Sequence, residues 1–264
     1  MNHRSRRLAL IWLALLVTGV ALAETSSAEY VLSQALLTPT VGHWLGFDAF
    51  GRDLLGTLLR GAGLSAGFSL VVVLASAILG IAVGGALALM PAGSRFAGLR
   101  ALDTLVAFPS LLLALGIAVI RGPGWDTLIA SLLVGILPGF VRLMYVRSAE
   151  LLHEEYVLAA RSLGASLPRI LTKHLGPPLL SLCRIKLPSL FAQALLAEAT
   201  LSFLGVGAPI GRDSWGALLS QGKDYLLEAP HIAFGTGLPL VFTILALQLV
   251  SESRPALRTS QSRL

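Results

Sequence analysis

Few residues of this 264-residue chain could do chemistry, and they are spread rather than gathered. Its five histidines, His3, His43, His153, His174 and His231, stand far apart, and His153-Glu154-Glu155 lacks the second histidine at i+4 that a zinc-holding helix needs. The single cysteine, Cys183, excludes an intramolecular disulfide and any multi-cysteine metal site, and reads as a small apolar packing residue. Phosphate cradling by a glycine loop needs Gly-Lys-Ser or Gly-Lys-Thr, whereas Gly222-Lys223-Asp224 runs on to Tyr225. No buried nucleophile and base suggest themselves as a pair, so no catalytic residue, cofactor site or metal site is assigned. One carboxylate is conspicuous. Glu198 lies in an apolar stretch, where it costs a few kcal/mol unless paired or wetted. Two readings stand open for it: a functional group of the membrane interior, or a glutamate hydrogen-bonded to a neighbouring helix and holding a bundle together. Neither makes it a substrate ligand.

The elements that must position these residues follow from composition. Hydrophobic residues make up 55% of the chain and charged residues 13%, with a mean hydropathy of +0.79. Soluble domains carry roughly 25% charged residues, so this is a bilayer protein with room for several spans of about 20 residues. A net charge of +6 would suggest nucleic acid in a soluble protein; here basic residues serve as topology determinants, and no nucleic-acid partner is expected.

The longest charged interruption runs from Glu150 to Leu180. Leu152, Tyr156, Ala159, Ala160 and Leu163 fall on one helical face. Gly164 sits where a left-handed C-cap belongs, and Ser166 and Pro168 where a new helix starts. The spacing predicts a short helix, a tight turn at Gly164-Ala165 and a second basic helix with Arg169, Lys173 and His174. Such a pair between hydrophobic spans is suited to docking on another protein.

Glu155-Tyr-Val-Leu-Ala-Ala-Arg-Ser-Leu-Gly-Ala-Ser, with Arg169-Ile and Lys173-His174, resembles the cytoplasmic loop of binding-protein-dependent ABC importer permeases. More narrowly, it is similar to the second permease of the dipeptide/oligopeptide/nickel group. His43-Trp-Leu-Gly-Phe-Asp-Ala-Phe-Gly-Arg-Asp is similar to that family's segment before the second span, and Glu198-Ala-Thr-Leu-Ser-Phe-Leu-Gly-Val-Gly to a third motif. The resemblance covers most of the chain from His43 onward. Three places depart from it: His174-Leu-Gly-Pro-Pro, with Pro178 where the family has asparagine; Gly61-Ala-Gly-Leu-Ser-Ala, without the usual arginine; and Gln248-Leu-Val-Ser-Glu-Ser-Arg-Pro-Ala-Leu-Arg near the end.

Taken in order, Arg4, Arg6 and Arg7 precede an apolar run from Leu8 to Ala23, which reads as a signal anchor or as a signal peptide ending at Ala21-Leu22-Ala23. The resemblance favours an uncleaved first span, residues 1–23. Residues 24–66 form an extracytoplasmic segment, with Asp53 at a helix start and Leu54, Leu55, Leu58 and Leu59 as an interfacial stripe. A permease core of five helices covers 67–251, with spans near Gly67–Met90, Leu102–Ile120, Leu128–Val146, Leu187–Val206 and Ile232–Val250, and a coupling loop at 148–180. A polar loop holding Trp215, Lys223, Asp224 and Tyr225 joins the last two spans, and a tail covers 252–264. Gly80, Gly84 and Gly85 offer a small-residue face for close helix packing. Asp103 and Asp126 open the third and fourth spans as caps or dipole partners. Pro109, Pro138, Pro188 and Pro239 kink or edge their spans. With both termini inside, fifteen of the twenty lysines and arginines lie on the inner side, which puts the coupling segment in the cytoplasm.

The expected fold is an all-α polytopic membrane protein with six transmembrane helices and a cytoplasmic coupling helix-turn-helix. The resemblance implies a permease subunit of an ABC importer in a bacterial-type inner membrane, forming half of a path for a peptide or metal chelate. It implies four kinds of partner: a second permease, two ATPase subunits that bind the ATP, an extracytoplasmic binding protein, and membrane lipid. It implies an ATPase-coupling interface of Glu155, Tyr156, Ala159, Ala160, Arg161, Gly164, Ala165 and Arg169. The rival is a stand-alone secondary transporter or channel, which would need relay carboxylates in its spans; only Glu198 qualifies. A membrane scaffold would explain the docking segment but not the permease-like external motif.

Overall fold

The computed structural model describes residues 3–23, 30–207 and 213–252. Met1, Asn2, residues 24–29, the segment 208–212 with Arg212, and the tail 253–264 with Arg254, Arg258 and Arg263 lie outside the described residues. So does most of the departing C-terminal motif. The helices are α1 (His3–Ala23), α2 (Leu54–Leu89), α3 (Ala92–Ala107), α4 (Ser110–Arg121), α5 (Trp125–Leu151), α6 (Glu155–Ser162), α7 (Leu167–Phe203), α8 (Trp215–Asp224) and α9 (Pro230–Glu252). Among the described residues the only extended pairings are two isolated bridges, Thr40 with His43 and Phe47 with Asp53. The all-α class is as expected.

Four helices, α2, α5, α7 and α9, are long and apolar enough to cross a membrane. The expected third span is not one straight helix. It is the pair α3 and α4, bent by 84°. Pro109 causes the break: its ring disfavours helical geometry at the residue before it, and Phe108 takes φ −80°, ψ 140°. Pro138, Pro188 and Pro239, by contrast, lie inside α5, α7 and α9 without ending them. Counted with the bent pair, the spans number up to five, and in α1 the apolar helix stretch is the shorter Arg7–Ala21.

The second basic helix also departs from expectation, because it does not stop before the fifth span. It runs unbroken from Leu167 to Phe203. Pro177 and Pro178 carry no N–H for the carbonyls of Lys173 and His174, and the helix widens into a π segment, Ile170–Leu175, just before them. The expected polar loop between the last spans contains a helix of its own, α8, whose Trp215 is fully buried. Its indole donates to the Leu58 carbonyl at 2.9 Å.

α2 and α5 approach each other closely. A Cβ on Gly80 would stand 2.5 Å from the Phe140 ring, and one on Gly84 would stand 2.7 Å from the Tyr145 nitrogen. Backbone meets backbone there, as the small-residue face implied. Gly85 faces Leu171 of α7 at 3.6 Å, so the three glycines serve two neighbours. Around this seam Val72, Val73, Leu132, Met144, Leu179 and Leu201 form the main core. A second cluster of Leu58, Ala62, Leu195, Trp215 and Leu240 lies toward the start of α2.

Gly84→Leu should therefore overpack this seam and cost about 1–3 kcal/mol, read as a lower melting temperature of the detergent-purified protein. Gly116→Leu, where an added Cβ meets no atom within 4 Å, should leave that temperature unchanged.

Candidate functional site

Three polar features stand out on this scaffold. The first is α6. Its N-terminus follows directly from the end of α5, and Val157, fully buried, keys it into the main core. Its C-terminus closes with two reversed backbone bonds, Gly164 N–H to the Arg161 carbonyl at 2.9 Å and Ala165 N–H to the Ala160 carbonyl at 3.0 Å. This is a Schellman turn, and Gly164 at its centre has φ +80°. A Cβ at Gly164 would meet no atom within 4 Å. The restriction is thus conformational, roughly 1–2 kcal/mol, and a side chain there would not clash.

The structure divides the expected coupling face in two. Tyr156 (46% exposed), Ala159 and Leu163 (89% exposed) form an open apolar strip, and Glu155, Arg161 and Arg169 are exposed beside it. Ala160 is half-buried and Ala165 packs against the core. Leu152, expected on the same face, belongs to the core instead, because α5 ends at Leu151 and residues 152–154 turn before α6 begins. Val157 is absent from the face expected from the sequence. Tyr156 leans toward His174 of the π segment, ring centres 6.1 Å apart, so α6 touches α7 as well as α5.

The second feature is a cavity of about 270 Å³ between α4, α5 and α7. Ser110, Ser131, Gln193 and Thr200 bring polar groups to a wall otherwise made of residues such as Leu132 and Leu196, and no charged side chain lines it. The Ser131 hydroxyl is buried without a partner. None of these four stands out in the sequence by itself. The available signal is Gln193 and Thr200, two polar residues seven apart in an apolar span.

The third feature is Glu198, fully buried. Ser202, one turn on, donates to its Oε1 at 2.7 Å, and the hydroxyls of Ser65 on α2 and Ser214 at the start of α8 face the same carboxyl. Ser65 in turn accepts the Trp215 backbone N–H at 3.1 Å. Glu198 thus sits where α2, α7 and α8 meet, the arrangement expected of a bundle-holding residue. Ser65 is the centre of Gly63-Leu-Ser-Ala-Gly, a Gly-x-Ser-x-Gly match that motif reading of the sequence did not pick out. It lies within α2 and not on a strand-to-helix elbow, and its hydroxyl is committed to α8.

Beyond Glu198, the external motif closes on itself. Asp53 caps α2, accepting the Gly56 N–H at 2.9 Å, and bonds His43 at 2.9 Å with its other oxygen. Arg52 is buried and donates to Asp48 at 2.7 Å and to Asp213. Burial disfavours its charge, but the two carboxylates outweigh this and raise its pKa well above the ordinary arginine value. Tyr30 and Phe50 place their rings 5.4 and 5.2 Å from the guanidinium. Asp103 is not a cap: it lies inside α3 and pairs with Arg142 of α5. Asp126 does stand in the first turn of α5, bonded to Arg121 at 2.7 Å.

A helical membrane bundle that exposes a short keyed helix at one end and an uncharged cavity among its spans is the form of a transport permease. The comparisons give the family. Residues 76–253 match the binding-protein-dependent transport system inner membrane component. The chain is 38% identical over 258 residues to a Brucella abortus protein provisionally named a peptide transport system permease, covering 96% of this chain and 86% of that one. It is 30% identical to a glutathione transport system permease of Pectobacterium atrosepticum, over 81% of this chain and 71% of the relative. It is 29% identical to a dipeptide transport system permease of Alkalihalophilus pseudofirmus, over 94% and 84%. The chain belongs to this family: it is a permease subunit of an ABC importer and a multi-pass component of the inner membrane.

Arg52→Met should strand Asp48 in a buried site and cost roughly 3–5 kcal/mol, lowering the melting temperature of the purified protein. Adding Asp48→Asn should recover part of the loss; no recovery would mean that the arginine acts through packing alone.

Proposed function

We propose that this chain is one of two permease subunits of a peptide importer and is driven through α6 by a separate ATPase. The observation that carries the reading is the division of α6: Val157 fixed in the core, with Tyr156, Ala159 and Leu163 left open beside Glu155, Arg161 and Arg169. A buried anchor with an exposed apolar strip transmits a push; a merely solvated loop would have neither. ATP is held by the ATPase, and two such subunits serve the pair of permeases. An extracytoplasmic binding protein delivers solute to the opposite face. No catalytic, cofactor or metal site is assigned to this chain.

The solute path passes between the two permeases, and the cavity at Ser110, Ser131, Gln193 and Thr200 is this chain's share of it. Neutral hydrogen-bonding groups suit peptide amides whatever the side chains. The peptide, dipeptide and glutathione names of the relatives support that class over nickel chelates. Six spans with both termini inside follow if α1 and the bent pair α3 and α4 each cross once, an orientation supported by the fifteen-to-five bias of basic residues. ATP-driven closure tilts α5 and α7 through α6 and opens the path inward, an alternating-access cycle.

Affinity purification of the tagged chain from its own membrane in mild detergent tests this. A second permease and an ATPase should co-elute in near-equal amounts; elution of the chain alone would replace this reading with that of a stand-alone transporter. Leu163→Asp should insert normally and reduce the co-eluting ATPase by on the order of tenfold, the effect of placing a charge at the centre of an apolar interface. Gly164→Asp should likewise insert and lose transport, and normal uptake by that variant would remove the turn from the coupling path.

A further inference from the structure

The broken third span puts a helix end inside the membrane. α4 runs 12 residues from Ser110 to Arg121, about 18 Å at helical rise. That is a little over half of a hydrocarbon core of about 30 Å. On the orientation proposed above, with Arg121 at the outer end, the N-terminus of α4 lies near the middle of the bilayer. Its capping residue, Pro109, makes no side-chain bond to the helix. The first backbone bonds run from the Leu112 and Leu113 N–H groups to the Pro109 carbonyl, at 2.9 and 3.2 Å. The N–H groups of Ser110 and Leu111 stand ahead of that ladder, at the positive end of the helix dipole. Both residues line the cavity of about 270 Å³ between α4, α5 and α7.

The same cavity is bordered by a donor with nothing to bond. Ser131 is fully buried, and its hydroxyl has no partner. It stands one turn before Gly135 on α5, and Ser110 lies against that glycine: a Cβ there would come within 3.3 Å of the Ser110 carbonyl. Ser131 and the start of α4 thus border the cavity from adjoining helices. A buried hydroxyl left unbonded costs free energy, which a solute accepting from it recovers. Thr200 differs, since its hydroxyl already donates to the Leu196 carbonyl at 2.8 Å. Among the described residues no charged side chain lines the cavity, so no carboxylate repels an anion there.

These groups favour one end of a peptide. The Ser110 and Leu111 N–H groups and the Ser110 and Ser131 hydroxyls are all donors, and a carboxylate accepts at about four lone-pair sites. The ammonium end of a peptide brings donors of its own and is repelled by the positive end of the dipole. Where membrane helices are broken, the N-termini of their halves face anionic groups of a solute. We propose that this cavity takes the C-terminal carboxylate of the transported peptide, held by Ser110 and Leu111 at the start of α4 and by the Ser131 hydroxyl. The inference rests on the peptide-importer reading and adds a direction to it: the carboxylate end of the peptide lies against α4.

The test uses the complete importer, purified with its co-eluting subunits and reconstituted in vesicles. ATP-driven uptake of one dipeptide is compared as the free acid and as its C-terminal amide. The binding protein is the same throughout, so a change in the acid-to-amide ratio between wild type and variant belongs to the permease. Ser131→Ala should lower uptake of the acid about tenfold, the effect of one hydrogen bond to a charged group, and leave uptake of the amide nearly unchanged. Its melting temperature should not fall, because the hydroxyl removed has no partner to lose. Ser110→Pro deletes an N–H and a hydroxyl where proline suits a helix start, after a Pro109 already at φ −57°, ψ 119°. It should lower the ratio likewise. An unchanged ratio in Ser131→Ala, or acid and amide falling together, would overturn the carboxylate assignment and leave the importer reading standing. Should the wild type carry no amide, the acid decides alone: its uptake falls in Ser131→Ala with melting temperature and ATPase co-elution unchanged, or the assignment fails. Uptake of neither peptide by the wild type would overturn both readings.

Discussion

Everything at the α6 end of this molecule depends on how closely α2 and α5 approach. At Gly80 and Gly84 the two helices meet without a side chain between them on the α2 side. Water cannot drive that approach inside a bilayer, since lipid is as apolar as leucine; tight packing of small residues does it instead. The seam fixes where α5 ends, and α5 ends where α6 begins, three residues later. Gly85, the next small position, faces Leu171 in the π segment of α7. Both helices that flank α6 are therefore referred to the same short stretch of α2. A loose seam would leave α6 attached to two helices with no fixed relation to each other.

What could be read from the sequence is what local chemistry decides. Asp53 as a helix cap, Gly164 as a left-handed turn and Asp126 as a first-turn acid needed only their immediate neighbours, and each stands where expected. The glycine face of α2 was legible because spacing alone brings Gly80 and Gly84 to one side. What could not be read depends on partners distant in sequence or on a balance between neighbouring breakers. Pro109 ends a helix whereas Pro138 and Pro188 do not, and composition does not separate those cases. Pro177 and Pro178 follow a π segment within a helix that runs on to Phe203, which their presence in the sequence does not reveal. Asp103 meets Arg142, and Arg52 meets Asp213 across 161 residues; no spacing rule connects either pair. The four polar residues of the α4–α5–α7 cavity are ordinary in their own helices and become a site only where three helices converge.

Most polar side chains inside this bundle bond within the protein. Glu198, Ser65, Ser202 and Thr243 all bond within the protein, as an apolar medium requires. Their bonds hold helices to helices: α2 to α8 through Ser65, and α1 to α9 through Thr243. The Ser76 and Ser131 hydroxyls are buried with no hydrogen-bond partner, and of the two Ser131 borders the α4–α5–α7 cavity. A group that costs free energy while idle is best placed where something else can meet it.

The course of α7 connects these levels mechanically. Starting at Leu167, just past the Schellman turn, it runs 37 residues without a break to Phe203, about 55 Å at helical rise. Near its start it approaches Tyr156 of α6 through His174; in its last third Gln193 and Thr200 line the α4–α5–α7 cavity, and Glu198, between them in sequence, turns to α2 and α8. A displacement of α6 is therefore delivered to one continuous element, with no loop in between to absorb it. The two places where that element can yield are the π segment and Pro188, both between α6 and the cavity. Glu198, bonded to Ser202 and facing α2 and α8, ties α7 to the bundle at the level of that cavity. A displacement passed along α7 therefore reaches the cavity at the level where Glu198 joins this helix to α2 and α8.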